Sequence, residues 1–175
     1  MANADRIYGI DLGTTYSCIS YMDENNRPVV IAGDSNRLVT PSVVYIGPDG
    51  NVTVGETAKE YAKVEPDSTV MLVKRHMGDS TWERNISGTV YRPEDISGHI
   101  LSKLKKLAKA ALGDEVTDVV ITVPAYFGSA ERTATQQAGQ LAGLKVHQLI
   151  PEPTAAAVFY AVSEKQEQTV MVYDL

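Results

Sequence analysis

The chain has 175 residues and a formal net charge of -6, with 22 acidic side chains against 16 Lys and Arg. Its length fits one domain, or one domain with a small insertion, and a hydrophobic content of 43% argues against a disordered chain. The acidic balance argues against nucleic acid and anionic membranes as partners. Because residues 1–6 lack the apolar core of a secretory signal and no apolar run could span a bilayer, the sequence predicts a cytoplasmic protein.

The first part of the chain is predicted to be rich in strands. Short β-branched runs separated by turn residues predict strands at residues 6–11, 16–22, 28–32, 41–46 and 52–54. The pattern then becomes helical, with predicted helices at residues 56–64 and 68–77 on either side of Pro66 and with Gly78 ending the second. The single cysteine, Cys18, is expected to pack within a strand.

The second part alternates helices with strands after a polar stretch at residues 79–91, which is interpreted as part of an insertion with a hairpin. Capping signals and apolar spacing predict helices, and β-branched runs predict strands, in this order: helix 93–112, strand 116–123, helix 129–142 with Ser129 as N-cap, strand 144–150, helix 153–162 and strand 169–173. This order predicts an α/β fold whose later strands are mainly parallel.

Three carboxylates are predicted where strands end or helices begin, at Asp11, Glu152 and Asp174. Open α/β sheets bind ligands at the carboxyl ends of their strands. Magnesium is usually held by one or two carboxylates together with substrate phosphates. Each acid taken singly could be an ordinary turn or cap residue, but the three together favour a site for a metal–nucleotide complex.

A tight turn at residues 13–15 follows Asp11. Its glycine would let a ligand approach the backbone, and Thr14 and Thr15 offer hydroxyls and amides to phosphate oxygens, although by composition the turn could equally be an ordinary hairpin. The P-loop and dinucleotide glycine signatures are absent. On pattern alone, Lys74 and Arg75 are predicted to lie on a solvated helix face.

Residues 9–18, Gly-Ile-Asp-Leu-Gly-Thr-Thr-Tyr-Ser-Cys, closely resemble the first phosphate motif of the DnaK family, the seventy-kilodalton heat-shock chaperones. Other segments resemble that family in the same order: residues 73–75, 120–127, 131–139, 142–144, 152–157 and 172–175, the last as the start of the second phosphate motif. The resemblance extends over nearly the whole chain from residue 7.

The resemblance implies a fold and a function. The fold is the actin-like, ribonuclease-H-like ATPase fold, a mixed sheet flanked by helices, of which this chain would be the first lobe. Residues 1–55 and 113–175 would form its core and residues 56–112 a smaller inserted subdomain with a connecting helix, while the second lobe and the peptide-binding domain would be absent. The family hydrolyses ATP to drive peptide binding and release in protein folding and the stress response. Because the chain stops at a predicted strand end, it is expected to be a fragment with weak ATP binding and negligible hydrolysis.

The resemblance also assigns roles to particular residues. The residues matching the magnesium-holding and catalytic acids are Asp11, Glu152 and Asp174, and the residue matching the lysine that orients the attacking water is Lys74. The residues matching the nucleotide contacts are Gly13, Thr14, Thr15 and Tyr16. The residues matching those that relay nucleotide state to the peptide-binding domain are Pro124 and Arg132.

The implied cofactors are ATP or ADP with Mg²⁺, and K⁺ as an optional further ion. The implied partners are unfolded peptide clients, a J-domain co-chaperone and a nucleotide-exchange factor, with no nucleic acid and no membrane. Gln148 and Pro151 stand where the family usually has Arg and Asn, which bears on J-domain coupling. The alternatives are a sugar or acetate kinase, a filament-forming actin-like ATPase, and a module that only binds partners.

Overall fold

The computed structural model describes residues 6–164 and 169–172. The strands are β1 (Ile7–Asp11), β2 (Tyr16–Met22), β3 (Pro28–Val30), β4 (Thr40–Pro41), β5 (Val44–Ile46), β6 (Val52–Val54), β7 (Thr69–Val70), β8 (Arg84–Ile86), β9 (Thr89–Tyr91), β10 (Asp118–Val123) and β11 (Lys145–Pro151). The α-helices are α1 (Glu56–Tyr61), α2 (Pro93–Leu112), α3 (Ser129–Leu141) and α4 (Glu152–Glu164).

The main sheet has six strands and is mixed. Its order is β11-β10-β1-β2-β3, and β4 pairs with β2 at one end. Strand β10 runs parallel to both β1 and β11, whereas β1, β2 and β3 form an antiparallel meander. Parallel neighbours need long crossover connections, and α3 provides the one between β10 and β11. The carboxyl ends of β1, β10 and β11 therefore meet at one edge of the sheet.

One face of this sheet is buried beneath α2 and α3. Alternate residues of β10, Val119, Ile121 and Val123, face this layer and are buried. Helix α2 contributes a stripe at three- and four-residue spacing, consisting of Ile96, Ile100, Leu101, Leu104 and Ala108. Each of the Val, Ile and Leu side chains contributes roughly 1.5–3 kcal/mol when fully buried. The opposite face carries the intervening, less buried residues of the same strands.

Two smaller sheets lie beyond the main one. Strand β5 pairs with β6 on one side and β7 on the other, and β8 and β9 form a hairpin. Helix α1 packs against β5 and β6, where the rings of Tyr45 and Tyr61 stack with centroids 3.9 Å apart. The domain boundaries expected at residues 55 and 113 stay predictions.

The predicted helix at residues 68–77 is wrong. Thr69 and Val70 form β7, which pairs with β5, and a single 3-10 turn follows at Val73–His76. Between them Leu72 adopts a left-handed backbone conformation with φ of 57°. The apolar run fits a helical pattern, but pairing of Thr69 and Val70 with Tyr45 and Val44 of β5 decided its structure.

Three smaller expectations also differ from the structure. The strand expected at residues 41–46 is divided into β4 and β5, which belong to different sheets. Gly128, not Ser129, is the N-cap of α3. Residues 169–172 form no strand, and Tyr173 of that predicted strand lies outside the described residues. Among the described residues, no helix is both long and apolar enough to cross a membrane.

Candidate functional site

A cavity of about 770 Å³ opens where β1, β10 and β11 end. The predicted site residues in its wall are Asp11, Gly13, Thr14, Thr15, Lys74, Pro124 and Glu152. They meet because parallel strands place their carboxyl ends at the same edge. Asp11 is the last residue of β1, Pro124 follows β10, and Glu152 follows β11. Segments more than one hundred residues apart along the chain thus form one wall.

Asp11 is oriented by a neighbouring strand. In the parallel pairing of β1 with β10, Asp11 lies opposite Thr122 on the same face of the sheet. The Thr122 hydroxyl donates a hydrogen bond of 2.8 Å to Oδ1 of Asp11. On the other side, Asp11 lies opposite Cys18 of β2. Burial raises the pKa of the Cys18 thiol, and the negative charge of Asp11 raises it further.

Lys74 and Glu152 form an ion pair at the cavity. Lys74 is buried, with 8% of its surface exposed, and its Nζ donates a hydrogen bond to Oε1 of Glu152. The prediction of a solvated Lys74 is therefore wrong, whereas Arg75 is exposed as expected. The reason is local geometry, because the left-handed residue Leu72 and the 3-10 turn after it direct Lys74 inwards. A buried ammonium requires a partner, and Glu152 supplies it.

The turn at residues 13–15 has a shape that only glycine permits at its start. A Cβ atom on Gly13 would lie 2.0 Å from the carbonyl oxygen of Tyr16, far inside contact distance. The Gly13 amide donates to Oγ of Ser17 at 3.1 Å. Gly13 therefore makes the close turn possible, and Thr14 and Thr15 of that turn line the cavity.

Two of the predicted residues that the structure describes are not in the cavity wall. Tyr16 begins β2 outside it, and the Lys59 ammonium lies 5.6 Å from the centre of its ring. Arg132 is in α3, where its Nε donates to the carbonyl oxygen of Phe127 at 3.1 Å. The Phe127 amide in turn donates to the Pro124 carbonyl at 3.1 Å, which connects Arg132 to the cavity edge. Asp174 lies outside the described residues.

The donor set can be compared with the needs of a magnesium ion. Within residues 6–164 and 169–172, no group of three or more His, Cys, Asp or Glu side chains could hold a metal ion. Asp11 and Glu152 are the two described carboxylates that line the cavity. Mg²⁺ usually keeps several waters and takes one or two carboxylates plus phosphate oxygens. The residues present therefore fit an ion that arrives with a phosphate group.

Sequence analysis missed three residues that shape the site. Tyr126 lines the cavity with 84% of its surface exposed. Thr122 could have been found, because strand alternation places it on the same face as Asp11 once the parallel register is assumed. Ser42 donates to the Gly13 carbonyl at 2.8 Å, and no local signal marks it, because 29 residues separate the two.

Comparison with known families adds a separate observation. The family model described as Hsp70 protein matches residues 7–87 and 79–175. The chain belongs to the Hsp70 family. This confirms the resemblance of residues 9–18 and of the segments after them to the seventy-kilodalton heat-shock chaperones. Hsp70 membership implies an actin-like ATPase fold, with which the mixed sheet and its helices are consistent.

In general terms, an Hsp70 chain has the nucleotide-binding domain of a heat-shock chaperone. The Hsp70 family binds nucleotides, and client peptides and co-chaperones are the family's general partners. A nucleotide phosphate would meet carboxylate, hydroxyl and ammonium groups together in the cavity lined by Asp11, residues 13–15, Lys74 and Glu152.

Proposed function

We propose that this Hsp70 chain is the first, ribonuclease-H-like lobe of a chaperone ATPase and that its cavity binds Mg²⁺-ATP. The observation that carries the proposal is the meeting of Asp11, the threonine turn and the Lys74–Glu152 pair around one opening. ATP hydrolysis there would drive peptide binding and release by the whole chaperone. The Hsp70 match favours this function over the kinase, filament and partner-binding alternatives.

The residues would act mainly by position and charge. Phosphoryl transfer to water needs phosphates that are held in place and developing charge that is neutralised. Thr14 and Thr15 would hold phosphate oxygens, and Asp11 would hold Mg²⁺, with Glu152 and Asp174 holding its waters. When bound, Mg²⁺ supplies positive charge to the phosphates. Lys74 has three N–H donors, and Glu152 takes one of them, so the others can orient the attacking water.

The proposal extends to coupling between domains. Arg132, Phe127 and Pro124 are joined by two successive hydrogen bonds that run from α3 to the cavity edge. A change at Pro124 on nucleotide binding would therefore alter the support of Arg132. The inserted subdomain at residues 56–112 stays a prediction, as do weak ATP binding and negligible hydrolysis by this chain. A J-domain co-chaperone as partner is also a prediction, and Gln148 stands where the family commonly has an arginine used in J-domain docking.

Amide-resolved NMR during titration with Mg²⁺-ATP tests the proposal, because this method detects weak binding and locates it. We expect the Thr14 and Thr15 amide signals to shift. In Asp11→Asn the apparent affinity should fall by about tenfold or more, since loss of a ligand or its support typically has that effect on metal affinity. The difference in ATP affinity between Asp11→Asn and the unchanged protein should be much smaller when Mg²⁺ is chelated.

The matched control is Asp67→Asn, which makes the same charge change at a fully exposed carboxylate away from the cavity. Its affinity should equal that of the unchanged protein. Absence of shifts at residues 13–15 at millimolar Mg²⁺-ATP, or equal affinities for the two variants, would contradict the proposal.

A further inference from the structure

We propose that Ser17 and Ser42 are positioning residues that hold the turn at residues 13–15 in its phosphate-binding shape before any nucleotide arrives. The inference rests on the proposed function, since it concerns the same cavity. Neither serine lines the cavity. Both lie behind the turn, where they connect its backbone to a segment much later in the chain.

The two serines and Gly13 form a closed ring of hydrogen bonds, called here the hydroxyl ring. The Gly13 amide donates to Ser17 Oγ at 3.1 Å, the two serine Oγ atoms are 2.9 Å apart, and Ser42 Oγ donates to the Gly13 carbonyl oxygen at 2.8 Å. A carbonyl oxygen can only accept, so the Ser42 proton is committed to Gly13. Ser17 must then donate to Ser42, and every bond in the ring has one direction.

The hydroxyl ring is buried, so the loss of one of its hydrogen bonds is costly. Ser17 and Ser42 are 1% and 2% exposed, so water cannot substitute for a lost partner. Removal of either hydroxyl would leave the other serine and one backbone group of Gly13 incompletely paired. A buried polar group without its partner is costly, and the turn would relieve that cost by moving.

A second connection ties the other end of the turn to the same segment. The Ser42 amide donates to the Thr15 carbonyl oxygen at 2.9 Å. Next to it, Thr40 of β4 pairs with Ser17 of β2, so the segment is itself anchored on the main sheet. Residues 40–42 thus hold both Gly13 and Thr15, and Thr14 between them has little freedom.

A turn held in this way favours phosphate binding by preorganisation. If the ring is broken, the binding-competent turn becomes only a fraction of the population, and the apparent dissociation constant rises by the inverse of that fraction. We expect Ser42→Ala and Ser17→Ala each to weaken Mg²⁺-ATP binding by about three- to tenfold, an effect consistent with one lost buried hydrogen bond.

The experiment measures three quantities for each variant: hydrogen exchange of the Gly13 amide without nucleotide, Mg²⁺-ATP affinity from the NMR titration, and the midpoint of urea unfolding. The matched control is Ser20→Ala, which removes another hydroxyl of β2 that donates to the Gly9 carbonyl at 3.3 Å and does not contact the turn. Gly13 exchange should accelerate about tenfold or more in the two ring variants and stay unchanged in Ser20→Ala.

Two further variants distinguish positioning from general stability. Ser17→Thr keeps a hydroxyl and should retain more Gly13 protection and more affinity than Ser17→Ala, which also covers the case of an alanine variant that does not fold. In the double variant Ser17→Ala/Ser42→Ala, the loss of affinity should be close to that of the weaker-binding single variant. Either single change already breaks the hydroxyl ring, so the second change adds little.

The possible outcomes separate the two proposals. Unchanged Gly13 exchange in both alanine variants overturns the hydroxyl ring, whatever the affinity. Faster exchange with unchanged affinity overturns its positioning role. If the unchanged protein shows no Mg²⁺-ATP shifts, the proposed function fails and the positioning role fails with it, and the exchange data then report only on the structure of the turn.

Discussion

Thr122 shows how much a single hydroxyl can matter at this site. Its Oγ1 donates to Oδ1 of Asp11 at 2.8 Å, from the adjacent parallel strand. Hydrogen bonds to charged groups are stronger than those between neutral groups. An aspartate at the end of a strand would otherwise rotate about its side-chain bonds. The threonine therefore restricts the orientations that the Asp11 carboxylate can adopt.

Thr122→Val tests this interaction, because valine keeps the branched shape and loses only the hydroxyl. We expect the Mg²⁺-dependent ATP affinity to fall by about three- to tenfold, corresponding to roughly 0.7–1.4 kcal/mol. The urea midpoint should change little, since the side chain is only partly buried. Amide NMR titrations with and without Mg²⁺ provide the measurement.

Thr122→Ser is the companion variant, because it restores the hydroxyl in a smaller side chain. It should bind close to the level of the unchanged protein. If Thr122→Ser is as weak as Thr122→Val, the hydroxyl alone is not sufficient and the methyl group is needed as well. An unchanged affinity in Thr122→Val would contradict the role of the hydrogen bond.

At the scale of elements, α3 approaches β11 more closely than a side chain would allow. A Cβ atom on Gly139 would lie 2.4 Å from Cγ2 of Val146. Gly139 has ordinary helical backbone, so the glycine is present for the close approach and not for its conformational freedom. This contact sets the distance of α3 from the sheet, and α3 in turn carries Arg132.

Gly139→Ala should lower the free energy of unfolding by about 1–3 kcal/mol through overpacking, although better helix propensity recovers up to about 1 kcal/mol of that loss. Adding Val146→Ala should restore part of the stability, because the space that the new methyl group needs becomes available. Urea unfolding of both variants provides the measurement, with the exposed α3 change Gln140→Ala as the control for helix propensity. A Gly139→Ala protein as stable as the original would show that α3 can move away from the sheet.

At the scale of the whole molecule, different regions of the main sheet form the core, the cavity and the contacts that stabilise its strands. Helices α2 and α3 cover one face and form the core, while the cavity opens at the carboxyl ends of the parallel strands. At the opposite ends of β10 and β11, Asp118 accepts hydrogen bonds from Thr117 at 2.6 Å and from His147 at 2.5 Å. The bond from His147 joins β11 to β10, whereas that from Thr117 is local to the start of β10, and both lie at the end of the sheet away from the cavity. They therefore act on the stability of the fold.

The hydrogen bond from Thr117, with that from His147 next in importance, lowers the pKa of Asp118 in the folded protein. A carboxylate with a depressed folded pKa stabilises the fold above its unfolded pKa of about 3.9, and the contribution is lost as the pH falls through the folded value. Asp118→Asn should therefore lower the melting temperature at about pH 7, and the difference from the unchanged protein should shrink as the pH falls below about 4.

Thermal unfolding followed by circular dichroism across that pH range provides the measurement. An equal difference in melting temperature at neutral pH and well below pH 4 would contradict the assignment. Mg²⁺-ATP affinity at neutral pH should not change in Asp118→Asn, because Asp118 lies at the end of the sheet away from the cavity.

Local sequence determined those parts of this protein whose stabilising groups lie close together along the chain. Helix α2 could be predicted because Pro93, the apolar stripe and Gly113 all lie within one segment, and Gly113 has the expected positive φ of 75°. The strand–turn–strand at residues 7–22 and its Hsp70-like motif were equally local. The meeting of Asp11 with Glu152 followed from the order of strands alone.

Tertiary structure decided what depended on distant partners. Residues 68–77 satisfy a helical pattern, yet pairing with β5 makes part of them a strand and turns Lys74 inwards to Glu152. Ser42 has no local signal, and its hydrogen bonds to the turn at residues 13–15 exist only because β4 pairs with β2. Burial and hydrogen bonding across the fold outweigh local preferences of a fraction of a kcal/mol per residue, so segments with distant partners take the structure that those partners impose.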